Sequence, residues 1–398
     1  MLSFQDAKRT ILEAVPEPGS ETVALRRALG RVLARGLSVP RDYPDTRRSA
    51  VDGYAVRFDG GTSFRPVGEV VAGQIPEGRL EPGECVAVMT GGTVPDGADC
   101  VVMVEDCEEA AGLVSVNVPL RAGALINEPG SEAAGGEPLL RRGARLTQAR
   151  YAALFYAGIP QVPVYEPPSV GVLITGQELR EVEDGPAPGK AFNTNRYILE
   201  ASLHAVGTPC SLERQAPDDE DAMRQALDEL SEHCAFVVSS GAVSMGRYDY
   251  VKKIFRESGF SLLVEGTRIK PGSPLMVAER DGKLFFGMPG YPAAFLTNAL
   301  LYLVPALKKA SGRSDYDHRP ISATLKTPLH ARRGRMDAAR ACLELEDGEW
   351  FASDPGSQRT SHFLNFARVN GLVLVPESAG DLPAGSPVKA LSFDLELT

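Results

Sequence analysis

Residues 236–253, "FVVSSGAVSMGRYDYVKK", begin with an apolar, β-branched run and end in a charged amphipathic stretch. The first part is typical of a buried strand and the last part of a helix, and serines and small residues separate them. In open α/β sheets, ligands bind outside the carboxyl ends of parallel strands, where loops lead into helices. Small residues let backbone N–H groups approach a ligand, and a helix N-terminus favours negative charge. This junction is therefore predicted to bind a phosphate or another oxyanion.

Asp249 stands at the start of the predicted helix, where a bound anion would repel its carboxylate. Mg²⁺ removes this conflict, because it binds through one or two carboxylates together with substrate phosphates. A purely structural interpretation is also open, since an acidic side chain stabilises the first turn of a helix. The sequence of this segment alone does not decide between the two.

The order of strand, loop and helix repeats between residues 169 and 312. Predicted strands are "VGVLITG" and "AFVVSSG", and predicted helices are "NRYILEASLHAVG", "DDEDAMRQALDELSEHC", "DYVKKIFRESG" and the closing segment "PAAFLTNALLYLVPALKKASG". This alternation predicts an α/β domain in which helices cover a mostly parallel sheet. Short β-rich runs separated by turn residues occupy residues 41–121 and 313–398 instead.

The predicted fold is therefore a multidomain α/β plus β architecture. Its four expected domains are a small linker or helical domain (1–40 and 122–168), an elongated, mostly β domain (41–121), the α/β domain (169–312) and a C-terminal β-barrel-like domain (313–398). Ser3 is predicted to cap a first helix, with Asp6 completing a capping box. The amphipathic segment "TVALRRALGRVLA" follows in the same domain, and "LTQARYAALFYAG" is predicted to be a helix between Thr147 and Gly158.

Composition excludes several classes of function. The net charge of −10 argues against broad binding to nucleic acid or to an anionic membrane, because both require a basic surface. The six cysteines form no CxxC pair, so neither a zinc site nor a disulfide framework is predicted, and we expect reduced thiols in a cytoplasmic protein. No secretion signal and no apolar run of ~20 residues, as a membrane span requires, is found. The absence of GxSxG and GxxxxGK[ST] argues against acyl-enzyme hydrolysis and P-loop chemistry.

Further glycine-rich turns follow apolar runs in the same way as the opening segment. They are "MTGGTVPDGAD" with Thr90, "LITGQEL" with Thr175, Gly176 and Glu178, and "FFGMPGYPAAF" with Gly287 and Gly290. One such turn is ordinarily structural. Several together suggest that loops converge on one elongated anionic ligand.

Candidate groups for contacting that anion lie further along the chain. They are Lys270 in "RIKPGSP", Arg335 and Arg340 in "RRGRMDAAR", and Ser361 and His362 in "QRTSHFLNF". Lysine and arginine are ordinarily solvated surface residues, but Lys270 lies between a strand-like run and a Pro-Gly turn, which fixes its position. No second histidine stands at metal-ligand spacing from His362.

In this order, these motifs resemble one known family. The segments are "SAVDGYAV", "MTGGTVPDGADCVVMVE", "TGQEL", "NTNRYIL", "VSSGAVSMGRYDYVKK", "IKPGSPLMV", "GMPGYPAA" and "TSHFLNFARVNGLVLVP". They resemble the molybdopterin molybdenumtransferases, the MoeA family to which the gephyrin E domain is related, over essentially the whole chain. The resemblance implies the last step of molybdenum cofactor biosynthesis, in which adenylylated molybdopterin and molybdate, with Mg²⁺, yield molybdenum cofactor and AMP. It also implies a homodimer and transient contact with other cofactor-synthesis proteins.

The resemblance also implies roles for individual residues. Asp52 and Thr90 resemble active-site residues of the β domain, in a cleft built from both subunits. Glu178, Asp218 and Asp249 resemble the acidic residues that hold Mg²⁺ and orient the pyrophosphate. The implied catalytic set is Asp52, Thr90, Glu178, Asp249 and Lys270, and the implied substrate-binding set is Thr175, Gly176, Ser240, Gly241, Ser244, Ser273, Arg335 and Ser361.

Four positions depart from the family pattern. Where the family usually has "TGDEL", "SGGVS", "KPGKP" and "PGNP", this chain has Gln177, Ala242, Ser273 and Tyr291. Ser273 removes a cation from the implied molybdate site, and Ala242 restricts positive φ. Glu132, in "GSEA", stands where many members carry an aspartate.

Two other functions remain open from the sequence. One is adenylyl transfer onto molybdopterin, an activity whose fold the α/β domain alone resembles, although "VDGYA" and both β regions argue against it. The other is a non-catalytic molybdopterin-binding or scaffold protein, with which the departures at Ala242, Ser273 and Tyr291 are compatible.

Overall fold

A computed structural model describes residues 1–71, 73–241, 250–257 and 259–393. The chain divides into two compact units. The first, which we call the sheet-barrel unit, consists of Met1–Ala34, Gly143–Gln148 and Gln161–Thr398, and the second, the β unit, of Arg35–Arg142 and Ala149–Pro160. The finer division into four domains stays a prediction.

The helices of the described residues are α1 (Phe4–Glu13), α2 (Gln148–Tyr156), α3 (Thr194–Ala205), α4 (Glu220–His233), α5 (Tyr250–Glu257), α6 (Pro292–Asn298) and α7 (Val304–Ala310). Short 3-10 helices are Leu25–Arg27, Val104–Asp106, Val182–Asp184 and Leu364–Arg368, and Ala299–Leu303 is a π-helical segment. None of these helices is both long and apolar enough to cross a membrane.

The strands of the described residues are β1 (Ser20–Ala24), β2 (Leu37–Ser38), β3 (Arg48–Ser49), β4 (Gly53–Val56), β5 (Ser63–Val70), β6 (Glu84–Val88), β7 (Cys100–Met103), β8 (Cys107–Ala110), β9 (Leu113–Val116), β10 (Ile126–Asn127), β11 (Pro138–Leu140), β12 (Gln161–Tyr165), β13 (Val170–Thr175), β14 (Leu179–Arg180), β15 (Ala191–Phe192), β16 (Cys210–Ala216), β17 (Phe236–Ser240), β18 (Ser261–Glu265), β19 (Ile269–Lys270), β20 (Met276–Arg280), β21 (Lys283–Met288), β22 (Ile321–Leu325), β23 (Met336–Glu346), β24 (Glu349–Ser353), β25 (Gly371–Val375) and β26 (Pro387–Ser392).

The predicted α/β sheet is confirmed in the sheet-barrel unit. Its strand order is β16-β13-β17-β21-β20-β18. The strands β16, β13, β17 and β21 are mutually parallel, and β20 runs antiparallel to both of its neighbours. Because β13 lies between β16 and β17, the chain crosses to opposite sides of β13, and such a reversal of strand order marks the usual ligand-binding edge of an open sheet.

Alternation along the central strands places a core on each face of this sheet. Val172 and Ile174 belong to a cluster with α1, α3, α6, the π-helical segment and α7. Leu173, between them, belongs to the cluster with α4 and α5. Since successive strand side chains point to opposite faces, a strand covered on both sides must be apolar throughout. This explains the unbroken apolar run that predicted β13.

A closed barrel follows the α/β sheet, as the β-barrel-like prediction required. Its five strands join in the order β23-β24-β22-β26-β25 and return to β23, and β19 pairs with β23 outside this ring. Leu325, Leu343, Val373 and Ala390 are among the residues that fill its interior. Closure leaves no unpaired barrel edge.

The β unit contains the six-stranded sheet β7-β4-β6-β5-β9-β8, with the short pairs β3–β10 and β2–β11 beside it. Two apolar clusters stabilise it, one around Val86 and Val101 and one around Phe64 and Val114. The mostly β composition predicted between residues 41 and 121 is thus observed.

The local signals were accurate at the first helix, whereas the amphipathic segment that follows it, for which no element was predicted, contains no α-helix. Ser3 caps α1, because its Oγ accepts the Asp6 N–H at 3.1 Å and donates to Asp6 Oδ2 at 2.7 Å. The amphipathic segment "TVALRRALGRVLA" does not form a second helix. Ser20–Ala24 is a strand paired antiparallel with Gln161–Tyr165, and only Leu25–Arg27 is helical. A partner strand about 140 residues distant outweighs the weak local helix preference.

An ion pair near the end of the α/β region links stability to pH. The buried Arg313 donates from Nε and Nη2 to the two carboxylate oxygens of Asp315, both at 2.8 Å, and lowers the pKa of Asp315 to about 2. A depressed carboxyl pKa stabilises the fold above the unfolded value and loses that effect as pH falls through the folded value. Asp315→Asn should therefore lower the free energy of unfolding by about 1–2 kcal/mol at neutral pH.

Urea unfolding of both proteins between neutral pH and about pH 2 checks this, because that range includes the window between the ordinary aspartate pKa of 3.8 and the folded value of about 2. The stability difference should be constant down to about pH 4 and shrink below it. A difference that persists undiminished at the acid end would mean that Asp315 does not act through its charge.

Candidate functional site

Four loops leave the carboxyl ends of adjacent parallel strands at one edge of the α/β sheet. Thr175 is level with Ala216 across the β13–β16 pair, Ile174 with Ser240 across β13–β17, and Ser240 with Met288 across β17–β21. The loops after these strands therefore begin side by side. This is the edge at which the sequence predicted an anionic ligand.

Side-chain hydrogen bonds tie three of these loops together. The buried Thr175 Oγ1 donates to the Ser240 carbonyl at 2.9 Å. Asn195 Nδ2 donates to Ser240 Oγ and to the Gly290 carbonyl, each at 2.9 Å. The Gly241 N–H donates to the Met288 carbonyl at 2.9 Å. Thr175, Ser240 and Gly241, which sequence reasoning assigned to substrate binding, thus lie together.

Asn195 is a residue of this edge that the sequence analysis did not select. It is buried in the first turn of α3, and its Oδ1 has no hydrogen-bond partner among the described residues. A buried polar group is nearly always hydrogen-bonded, so this acceptor is notable at a ligand edge. The available signal was an asparagine at a position that faces the sheet, inside "NTNRYIL".

Two glycines permit the close approach of these loops. Gly241 has φ +95°, and a methyl group there would lie 3.0 Å from Thr175 Oγ1. Gly176 has φ +125°, and a methyl group there would lie 2.9 Å from Glu178 Oε2. Positive φ is strained for residues with a side chain. Conformation therefore favours glycine at both positions, and limited space beside the buried Thr175 adds to this at Gly241, whereas the exposed Glu178 side chain can move away from Gly176.

Glu178 and Asp218 follow the neighbouring strands β13 and β16. Both are exposed, and neither carboxylate has a hydrogen-bond or ion-pair partner within the described ranges. Carboxylate oxygens are ligands that Mg²⁺ prefers, and one or two of them suffice when phosphates supply the rest, so these residues fit the ion. No group of three potential metal ligands is found in the described part of the chain. Asp249, Ser244 and Ala242 lie outside the described residues.

A second feature of the same unit is a pocket of about 490 Å³, which we call the anion pocket after the ligand that the sequence predicts for it. Its lining residues come from the β19 loop, the start of α6 and the turn before β23: Arg268, Lys270, Gly272, Ser273, Pro289, Tyr291, Ala294, Gly334, Arg335 and Thr360 are among them. Parallel pairing of β19 with β23 brings Lys270 level with Asp337 and so places it near Arg335. The pocket therefore joins Lys270, Ser273 and Arg335, as predicted for an oxyanion site.

The positively charged side chains that line this pocket differ in whether an acidic side chain neutralises them. Arg335 Nε donates to Asp337 Oδ1 at 3.0 Å, and the Asp337 side chain, in a residue only 6% exposed, also accepts the Arg332 N–H at 3.1 Å. The half-buried Lys270 ammonium has no partner among the described residues. Ser273 Oγ donates its proton to the Thr267 carbonyl at 2.8 Å. Arg268, which also lines the pocket, donates to Glu377 Oε2 at 3.1 Å. Lys270 is thus the lysine or arginine of the lining without an anionic partner among the described residues, and Ser273 adds no second cation.

Tyr291, one of the four departures, is 63% exposed and lines the pocket. It precedes α6 and places an aromatic ring, instead of a short amide, at the rim. The residue before it is Gly290, whose carbonyl accepts the hydrogen bond from Asn195. The anion pocket and the sheet edge therefore share the β21–α6 loop.

Arg340 is not an anion ligand, contrary to its selection as a candidate cation. It is only 2% exposed, and its guanidinium donates to the carbonyls of Arg359 and His362 and to Asn365 Oδ1. Its role is to order the loop between β24 and β25. Ser361 and His362 lie exposed in that loop, whereas the neighbouring Thr360 lines the anion pocket.

In the β unit, Asp52 and Thr90 form a direct pair. Asp52 Oδ1 accepts the Thr90 N–H at 2.6 Å and Thr90 Oγ1 at 2.8 Å. These two donors, the backbone one first, lower the pKa of Asp52 below its ordinary value. Arg48 Nη1 donates to the Gly91 carbonyl at 3.0 Å and so braces the turn that carries Thr90. Glu132 accepts the Tyr156 hydroxyl at 3.2 Å elsewhere in this unit.

Thr90→Val should raise the pKa of Asp52 part of the way towards its ordinary value. The hydroxyl donor is lost, while the backbone N–H, which is the larger cause, remains. An NMR-detected titration of the carboxyl group measures the change directly. Any activity that requires ionised Asp52 falls as this carboxylate is protonated. In the variant, this fall on the acid side of the pH profile should therefore occur at a higher pH. Thr90→Ser, which keeps the hydroxyl, is the control, and equal titrations of Thr90→Val and the parent would contradict the prediction.

Comparison with known proteins gives consistent results along the chain. Residues 2–158 match the family described as MoeA N-terminal region (domain I and II), residues 171–309 the probable molybdopterin binding domain, and residues 322–393 the MoeA C-terminal region (domain IV). A molybdopterin molybdenumtransferase from a Nostoc species is 29% identical, over 99% of this chain and 94% of that protein. One from Staphylococcus epidermidis is 28% identical, over 100% of this chain and 98% of that protein.

Solved structures show the same relationship. Two crystal structures of MoeA molybdopterin biosynthesis proteins from Pyrococcus horikoshii, both 28% identical to this chain, match it with TM-scores of 0.84 and 0.80. The first match covers 99% of each chain, and the second covers 98% of this chain and 100% of the other. The three matched family regions together span nearly the whole sequence, and this chain therefore belongs to the MoeA family of molybdopterin molybdenumtransferases.

Proposed function

We propose that this protein inserts molybdenum into adenylylated molybdopterin, using molybdate and Mg²⁺ and releasing AMP, in the last step of molybdenum cofactor biosynthesis. The observation that carries the proposal is the anion pocket with its unpaired lysine. A protein with a net charge of −10 attracts no anion by its overall field. A half-buried ammonium without a partner among the described residues is therefore a local feature that can bind an anion.

The spatial relation of pocket and sheet edge supports a substrate with two anionic parts. Pro289 and Tyr291 line the anion pocket, and Gly290 between them is bonded to Asn195 at the sheet edge. A pyrophosphate-containing molecule at the edge would thus lie beside an oxyanion in the pocket. Proximity of two bound reactants is itself a large catalytic factor.

In this mechanism, the chain supplies positioning and charge. Lys270 and Arg335 hold molybdate by charge-assisted hydrogen bonds, which strengthen as water is excluded. The loops of Thr175, Ser240 and Gly241 hold the pyrophosphate part of the substrate. Glu178 and Asp218, with Asp249, would hold Mg²⁺, which supplies positive charge to the pyrophosphate when bound. Asp52 and Thr90 present a fixed carboxylate that stays ionised below its ordinary pKa.

Two further parts of the proposal rest on the family relationship alone. They are a homodimer whose cleft uses Asp52 and Thr90 from one subunit, and transient contact with other proteins of cofactor synthesis. A third part, a cytoplasmic location, rests on the cysteine pattern, which favours reduced thiols. Size-exclusion chromatography with light scattering tests the dimer. A monomer at every concentration would contradict it.

The turnover experiment uses purified protein with adenylylated molybdopterin, Mg²⁺ and molybdate. It follows AMP release together with reconstitution of an apo molybdoenzyme. Molybdate-dependent AMP release with reconstitution supports the transferase. Substrate binding without either product would support a non-catalytic binding protein instead. A separate reaction with molybdopterin and a nucleoside triphosphate tests adenylyl transfer, which formation of adenylylated molybdopterin would support.

A further inference from the structure

Asn298 is a buried residue whose polar side chain is unpaired. It is 1% exposed, and neither Nδ2 nor Oδ1 has a hydrogen-bond partner among the described residues. Buried side-chain amides are nearly always hydrogen-bonded, and an unmade bond destabilises the fold. The position of this side chain therefore requires an explanation other than stability.

The carboxamide of Asn298 packs directly against Gly272. A methyl group on Gly272 would lie 2.3 Å from Asn298 Oδ1 and 3.1 Å from its Cγ, and Gly272 has φ +107°. One Cα hydrogen of Gly272 thus points at the amide oxygen, a contact that only glycine permits. Gly272 lies between Lys270 and Ser273, and all three line the anion pocket.

The helix that carries Asn298 also forms a wall of this pocket. Ala294, one turn earlier in α6, lines the pocket, and its carbonyl lies 3.5 Å from the same methyl position on Gly272. Asn298 is the last residue of α6, and the π-helical segment Ala299–Leu303 follows. Such segments are rare in proteins and occur frequently at functional sites. Asn298 and the helix that carries it thus pack against the loop that contains Lys270.

We propose that Asn298 is a positioning residue of the anion pocket. Its carboxamide holds Gly272 from behind, and this contact sets the place of the Lys270 ammonium relative to Arg335. Asn298 itself does not touch the anion. The inference rests on the proposed function, because it names a residue on which molybdate recognition depends.

Asn298→Leu is the primary test, because leucine has nearly the same shape and no polar atoms. We expect the KM for molybdate to rise about tenfold, since small displacements of a positioned group reduce its effect strongly. The kcat at saturating molybdate and the affinity for adenylylated molybdopterin should stay near the parent values. The thermal midpoint should not fall, because an unpaired buried amide is removed.

A second pair of variants tests the contact itself. Gly272→Ala alone places a methyl group against Asn298 Oδ1, whereas Gly272→Ala with Asn298→Ala removes the obstruction. The double variant should therefore be more stable than the sum of the single changes predicts, and it should keep the raised KM for molybdate. This measurement remains informative even where Asn298→Leu folds poorly.

The outcomes separate this inference from the proposed function. Parent protein without molybdate-dependent turnover would overturn the proposed function and the inference with it. Parent turnover together with an unchanged KM for molybdate in Asn298→Leu would overturn the inference alone. An unchanged KM for molybdate together with increased stability is the result expected if Asn298 has no role in positioning the pocket.

Discussion

Lys270→Ala should lower kcat/KM for molybdate by about 100- to 1,000-fold, the range found when one preorganised charge-stabilising donor is removed from an active site. Arg268 and Arg335 also line the pocket, but Arg268 donates to Glu377 Oε2 at 3.1 Å and the charge of Arg335 is matched by the nearly buried Asp337. The Ser273 hydroxyl gives its proton to the Thr267 carbonyl. Lys270 therefore supplies the uncompensated positive charge, and no neighbour replaces it.

The kinetic pattern is as informative as the magnitude. The KM for molybdate should rise and kcat should fall, while the affinity for adenylylated molybdopterin is largely retained, because that substrate is proposed to bind at the loops of the sheet edge. Stability should change little, since Lys270 makes no ion pair within the described residues. AMP release measured against molybdate concentration gives both constants.

Lys389→Ala is the matched control for this experiment. Lys389 lies on the barrel strand β26, where it donates to Ser322 Oγ at 2.8 Å and lines no part of the anion pocket. Its replacement removes the same charge and should leave the kinetics unchanged. A parent-like response to molybdate in Lys270→Ala would show that the anion binds elsewhere.

The α/β region was predictable because its signals are local and agree with one another. Val172, Leu173 and Ile174 pack alternately into two cores, so a short apolar run bounded by turns identifies a strand covered on both faces. The position of Thr175 then follows from chain order alone, because a loop after a parallel strand begins at the ligand-binding edge.

Other features depend on residues that are distant in sequence. The β1 strand is stabilised by β12, and closure of the barrel depends on pairing between β23 and β25. No local pattern contains this information, since β-propensity depends mainly on cross-strand neighbours.

Within the site, the sequence identified residue types better than it identified roles. Lys270 and Arg335 meet in one pocket as predicted. Arg340, five residues beyond Arg335, instead points into the protein and orders a loop, although both are arginines in the same short segment. Asn195 lies inside the motif "NTNRYIL" but is not marked out by it, and Asn298 lies in no motif. What distinguishes both is a buried polar atom without a hydrogen-bond partner among the described residues. That property belongs to three-dimensional packing alone.

Gly53→Ala should destabilise the β unit by about 3–5 kcal/mol, the upper end of single-residue effects. Gly53 lies in β4 between β6 and β7, level with Val88 on one side and Met103 on the other. A methyl group there would lie 1.8 Å from the Val102 carbonyl oxygen, which is backbone and cannot move without breaking the β4–β7 pairing. The requirement at this position is thus for space between strands.

The consequence reaches the candidate site because Asp52 precedes Gly53 directly. Displacing β4 from β7 moves the Asp52 carboxylate away from the Thr90 N–H and hydroxyl, which hold it at 2.6 and 2.8 Å. The pKa of Asp52 should therefore rise towards its ordinary value in any Gly53→Ala protein that remains folded. Urea unfolding, followed by proteolysis, measures the change in the free energy of unfolding. Titration of the Asp52 carboxyl group measures the change in its pKa.

Gly60→Ala separates the two reasons why a position can require glycine, namely a positive φ and a lack of space for a side chain. Gly60 belongs to the same unit and has φ +98°, but a methyl group there meets no atom within 4 Å. Its replacement should cost only the backbone strain of about 1–2 kcal/mol and leave Asp52 unaffected. If Gly53→Ala unfolded at the same urea concentration as Gly60→Ala, the strands around Asp52 would have to be spaced more widely than the structure shows.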